Sequence, residues 1–154
     1  MEFNTKLGKI SIDTNRIINF EYGLPGFENL NKFTLLNPEE TKPIMWLASL
    51  EDENVALPVL PPNMVRIDYD IYIPEDIIEY LNIEDKEDLV LLSILTIPQN
   101  GDITINLAAP ILISNKTKKG AQVLIEKSDY NIKHNLNTEI KRSKDLSNSN
   151  KDVK

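Results

Sequence analysis

The chain has 154 residues, 41% of them hydrophobic, a formal charge of −7, no cysteine and a single histidine. That suits one domain with one core, and it removes disulfide frameworks and thiolate metal sites from consideration. The N-terminal Met1-Glu-Phe-Asn-Thr-Lys lacks the charged start and apolar run of a secretory signal, and the apolar stretches are too short to span a bilayer, so a cytoplasmic protein with no membrane association is expected.

In chain order, Thr5 to Phe20 alternates loosely around Ile10, Ile12, Ile17 and Ile18, predicting two short strands joined near Asp13-Thr14-Asn15. Gly23-Leu-Pro-Gly26 places permissive backbone beside a fixed φ and reads as a compact turn. Phe33 to Leu36 and Pro43 to Leu50 are predicted strands, with Pro43 tolerated only at a strand's start. Pro58, Pro61 and Pro62 predict irregular or edge structure from Val55 to Val65. Pro74 to Leu81 reads as a helix: proline suits the first position, Glu75 and Asp76 complement the helix dipole, and Ile77, Ile78 and Leu81 share a face. Asn82 ends it.

Leu89 to Ile97 is nearly all apolar and β-favouring, which predicts a core strand buried on both sides. Ile103 to Leu107, Ile111 to Ser114 and Gln122 to Ile125 add three more strands, with turns at Gln99-Asn100-Gly101 and Lys119-Gly120. Many short strands with one short helix predict a mainly β fold, a small antiparallel β-barrel-like domain over 1–136. Residues 137–154, rich in Ser, Asn, Lys and Asp, are expected to be a disordered polar tail.

The charge is uneven. The 137–154 segment has five basic and three acidic residues, leaving the body with 12 basic and 21 acidic ones, or −9. Twelve of those carboxylates fall between Glu51 and Asp88, against Arg66 and Lys86 alone. Such a field repels phosphate backbones and favours basic protein partners, although a charge run also serves as a solvated face. Direct nucleic-acid binding is not expected: Lys116, Lys118 and Lys119 form a basic tip without interleaved aromatics for base stacking.

Catalytic signals are sparse. Ser49, Ser93, Ser114 and Ser128 do not sit in a nucleophile-elbow sequence, and His134 reads as a local hydrogen-bonding residue. The acidic runs fit no calcium-loop spacing and the five glycines build no phosphate loop, so neither metal nor cofactor is expected. Asp68 and Asp70 would share a strand face and are the one carboxylate pair worth considering for hydrolysis. Trp46 reads as core or half-buried packing; Phe27 fits either an exposed ring or one tucked beneath its turn.

The stretch Phe20-Glu-Tyr-Gly-Leu-Pro-Gly-Phe-Glu-Asn-Leu-Asn-Lys-Phe33 resembles the opening signature of the flagellar assembly factor FliW family. Trp46-Leu47 with Ser49-Leu-Glu-Asp52, Tyr69-Asp-Ile71, Asp88 to Pro98, Asn106-Leu-Ala-Ala-Pro-Ile111, Gly120, Val123, Leu124 and Ser128-Asp-Tyr130 with His134 and Leu136 extend the resemblance in order and spacing. It implies a β-barrel-like, non-enzymatic regulator of flagellar assembly. Such a protein binds flagellin and the RNA-binding translational repressor CsrA, tying flagellin synthesis to secretion, and is expected to be monomeric on its own.

The partner-binding residues selected on matching positions are Gly23, Leu24, Pro25, Gly26, Phe27, Glu28, Glu51, Asp52, Leu57, Pro58, Asp68 and Tyr69. Each also has a plain structural role open to it: the glycines and proline in a turn, Leu57 in the core, Tyr69 against the barrel. Two other readings remain, a small-ligand-binding barrel with an interior cavity and a minimal carboxylate hydrolase on Asp68 and Asp70. Ala56-Leu57-Pro58, Lys133 and the extra tail depart from the family pattern and bear on partner preference.

Overall fold

The computed structural model describes residues 1–126 and 129–152, with the side chains of 149–152 set aside. Strands β1 (Glu2–Thr5) and β2 (Gly8–Ser11) form a separate antiparallel hairpin. Its turn lies at Lys6-Leu7, where Thr5 Oγ1 donates to the Gly8 carbonyl at 2.7 Å and Gly8 takes φ +112°. The first hairpin therefore starts earlier than predicted, and Thr14–Arg16 is a single helical turn rather than the joint between strands.

The main sheet is built from β3 (Ile18–Asn19), β4 (Lys32–Leu36), β5 (Met45–Ser49), β6 (Ala56–Leu60), β7 (Leu89–Thr96), β8 (Thr104–Ile105), β9 (Ile111–Ser114), β10 (Gly120–Gln122) and β11 (His134–Asn135). Its antiparallel path is β10-β9-β7-β6-β5-β4-β3, with β8 on the far end of β7 and β11 on β8. Helices α1 (Pro62–Val65) and α2 (Glu75–Leu81) fill the connection from β6 to β7, and α3 (Leu136–Asp152) follows β11. None of the helices among the described residues is long and apolar enough to cross a membrane.

The prolines at 58–62 misdirect the reading of this region, because β6 is an inner strand. Pro58 sits opposite Trp46 of β5, and the ladder to β7 begins only at Val59, so the missing N–H falls where that side is unpaired. Conversely, β10 is Gly120–Gln122 rather than Gln122 to Ile125, although Val123 and Ile125 still donate to the Pro110 and Ala108 carbonyls. On α2, Pro74 precedes the helix, and Asn82 closes it in the left-handed region at φ 56°. β7 is less enclosed than predicted: Leu92, Ser93 and Leu95 are buried, while Leu89, Val90, Leu91 and Ile94 are half-buried.

Inside the sheet, Ile18, Phe20, Leu24, Phe33, Leu47, Val59, Leu92, Ile111 and Ile113 form one apolar cluster. A second, around Leu60, Val65, Tyr69, Leu95, Ile105, Leu107 and Tyr130, lies toward α1 and α3; a third seats α2 through Leu81, Leu112 and Val123. Among the described residues, these clusters fill the interior with side chains where a small-ligand barrel needs a cavity.

The two ends of the sheet path approach each other without a continuous ladder. Asn19 N–H donates to the Lys118 carbonyl at 2.8 Å in an isolated bridge, and the Phe20 ring covers Gly120. The architecture is thus barrel-like rather than a closed barrel.

Residues 136–152, which take in most of the predicted polar tail, form a helix in this structure. Leu136, Glu139, Ile140 and Ser143 repeat at helical spacing on its inner face, and Asn135 Oδ1 accepts the Thr138 N–H at 3.0 Å as an N-cap. Composition alone hides this, because two of the four inward residues are polar and bond to partners far away in sequence, Glu139 through Oε1 to Arg66 and Ser143 to Val65 and Ile67.

A Cβ built on Gly120 would lie 2.5 Å from the Phe20 ring. Gly120→Ala is therefore expected to destabilise the fold by about 1–3 kcal/mol, read as a lower urea midpoint at unchanged slope.

Candidate partner-binding site

The loop between β3 and β4 is held in one shape by its own backbone. Gly23 N–H donates to Phe20 O at 2.9 Å, Phe27 N–H to Leu24 O at 2.7 Å and Leu30 N–H to Phe27 O at 3.0 Å. Pro25 and Gly26, at φ +87°, occupy the middle of the Leu24–Phe27 turn. Gly23 takes φ +66° with the Glu28 Cα where its Cβ would be, 2.6 Å away, so no other residue fits there without moving the chain. Leu24 is buried in the core and Phe27 packs half-buried beside it, which resolves the orientation of that ring. Pro25, Gly26 and Glu28 remain exposed. Glu28 Oε1 accepts the Gly26 N–H at 3.1 Å; a bond from its own backbone, and then this one, hold its carboxyl below the ordinary range.

Glu51 ties this loop to the turn after β5. Its Oε1 accepts the N–H groups of Asn31 at 2.6 Å and Lys32 at 2.9 Å, just where the loop enters β4. Ser49 Oγ accepts the Glu51 and Asp52 N–H groups, and Asp52 Oδ1 accepts that of Asn54, so the acidic turn is as fixed as the loop. Next to it, Glu2, Leu30, Glu51, Asp52 and Glu53 line a shallow cleft of about 630 Å³. Glu2 was not selected from sequence; with the hairpin turn misplaced, no local signal brought it to this surface.

The remaining selected residues lie elsewhere. Leu57 is half-buried opposite Leu47 and packs on the first core cluster, with Pro58 beside it opposite Trp46. Trp46 is half-buried and donates from Nε1 to Thr41 Oγ1 at 3.1 Å.

Asp68 and Tyr69 belong to the attachment of α3. Tyr69 is buried, burial pushes its hydroxyl pKa up, and the hydroxyl donates to Leu107 O at 2.8 Å. Asp68 receives both terminal nitrogens of Arg142 at 2.7 Å. The Arg142 guanidinium lowers the Asp68 pKa from 3.8 to about 2. Neither Asp68 nor Asp70 is in a strand, so the pair does not form the shared-face arrangement that a hydrolase reading requires.

Beneath Asp68, Arg66 Nη1 donates to Glu139 Oε1 at 3.3 Å and stacks its guanidinium 4.9 Å from the Tyr130 ring centre. His134 Nε2 accepts the Asn131 N–H at 2.7 Å, which places the ring proton on Nδ1, the atom 2.9 Å from Glu139 Oε1. Ser143 Oγ donates to Val65 O and accepts the Ile67 N–H, completing the seam between α3 and α1. His134 is therefore a structural hydrogen-bonding residue.

The FliW protein family model matches residues 3–136. The chain belongs to the FliW family. The flagellar assembly factor FliW of Thermotoga neapolitana is 49% identical over 95% of this chain and 99% of its own length. That of Thermotoga maritima is 49% identical over 94% and 98%. A crystal structure of the flagellar assembly factor FliW superposes with a TM-score of 0.81 at 34% identity, covering 88% of this chain and 96% of that one. The FliW match stops where α3 starts, so the helix that engages Asp68 lies outside the segment the family model describes.

The Asp68–Arg142 pair makes a pH-dependent prediction. A carboxyl whose folded pKa is depressed stabilises the fold above its unfolded pKa and loses that contribution as pH falls through the folded value. The stability difference between the parent and Asp68→Asn, measured by chemical denaturation, should be full above about pH 4 and close toward pH 2. With Asp68 49% exposed, solvent screening limits it to about 1 kcal/mol.

Proposed function

We propose that this FliW-family chain regulates flagellar assembly without catalysis, by binding flagellin and a CsrA-like RNA-binding repressor in the cytoplasm, and that it is monomeric when unbound. One observation supports the assignment of the surface: Glu51 holds the end of the β3–β4 loop, at Asn31 and Lys32, to the acidic Glu51–Glu53 turn, with Glu2 alongside. A rigid loop next to four carboxylates suits a basic protein partner. The body's −9 charge would oppose RNA near a repressor docked there by repulsion alone, without covering the RNA site. On this reading Pro25, Gly26 and Glu28 make contact, Leu24 and Phe27 hold the loop's shape, and Asp68 and Tyr69 contribute only through α3.

Calorimetric titration against the same organism's CsrA-like repressor and, separately, its flagellin tests the proposal. Binding to each with mutual displacement is the expected result; binding to neither overturns it. Asp52→Lys should weaken repressor binding by about tenfold while lowering the melting temperature only slightly through the lost bond to the Asn54 N–H, and the parent's affinity should fall as salt approaches 1 M, where the screening length is roughly 3 Å. Inhibition of RNA binding that ignores salt would remove the electrostatic mechanism while leaving the docking intact.

A further inference from the structure

A second surface has a different character from the acidic cleft. Asp70, Ile71, Tyr72 and Pro74, with Leu124, Ile125 and Glu126, line an open cleft of about 700 Å³ whose lining is mostly apolar side chains. Tyr72 is 79% and Leu124 68% exposed, high values for large apolar residues so close together.

The backbone there is also unfinished. Val123 and Ile125 both donate inward, to Pro110 O at 3.1 Å and Ala108 O at 2.6 Å. Alternation along a strand then turns the Leu124 N–H and C=O the other way, out from the sheet. Among the described residues, the backbone groups of Leu124, Ile71 and Tyr72 have no hydrogen-bond partner. Among the described residues, the charged groups lining the cleft are Asp70 and Glu126, both acidic.

We infer that this cleft receives an extended segment of another protein, which adds a strand to the edge at Leu124 and alternates apolar with basic residues. The free N–H and C=O call for a strand and are not used by a helix. The apolar walls take every second side chain, and Asp70 and Glu126 pair with the lysines or arginines between them. A second copy of this chain would bring the same acidic edge and a −7 charge to the contact, and phosphate backbones would meet the same repulsion. The inference does not depend on the flagellin and repressor reading, since it uses neither the Gly23–Glu28 loop nor Glu51.

A random-peptide display library panned on the full chain tests it. Enriched peptides should alternate apolar and basic positions and slow amide exchange at Leu124. They should bind about tenfold more weakly to Leu124→Pro, which deletes the edge donor, and to Glu126→Lys, which reverses the rim charge. Because Glu126 is exposed, its variant reports on the cleft even if the proline disturbs the fold. Failure to enrich any peptide, or enrichment of peptides that bind both variants as they bind the parent, overturns the inference. Concentration-dependent dimerisation that Leu124→Pro abolishes would also overturn it, by assigning the edge to a second copy.

Discussion

Phe20 lies with its ring against Gly120, and that contact sets how far the sheet can curl. Any side chain at 120 would hold the two ends of the strand path apart; with hydrogen alone there, the ring seals the gap while Asn19 reaches the Lys118 carbonyl. Phe20 also meets Phe33 edge-on, with ring centres 5.4 Å apart, so one residue links the edge, the core and the strand that follows the loop. The loop at Gly23 starts three residues later, and its position is inherited from this seal.

The acidic middle of the chain divides its labour. Asp85 and Asp88 cap each other's turn, Glu51 and Asp52 satisfy backbone donors, and Asp68 anchors α3. A carboxylate in any of these positions satisfies groups that would otherwise compete for water, and it still contributes its negative charge to the surface field. Local order and long-range charge are thus carried by the same residues. Counting charges along the sequence measured only the second role.

Elements with local signatures were legible from the sequence. The Leu24–Phe27 turn, α2 with Asn82 at its end, and the apolar β7 depend on residues within a few positions of one another. What failed depends on distance. Pro58 looked like a strand breaker because the sequence does not show on which side its missing N–H falls, and the hairpin turn at Lys6-Leu7 has only Gly8 to mark it. The helix α3 carried a readable cap at Asn135 and a readable spacing from Leu136 to Ser143. Its inward Glu139, only 5% exposed, makes sense once Arg66, 73 residues away, is known to be its partner. The candidate site was half legible: the motif located the loop and the acidic turn, but not the hydrogen bonds that join them or the arrival of Glu2.

The crowding of Gly23 against Glu28 has a thermodynamic side. A loop that closes on its own backbone, with no room for even a methyl group at its hinge, has already lost most of the freedom that binding would take from it. A partner docking there would meet a surface already held in shape by its own backbone. For a partner docking there, little conformational entropy would be given up on this side of the contact, and discrimination would fall to the few exposed atoms of Pro25, Gly26 and Glu28.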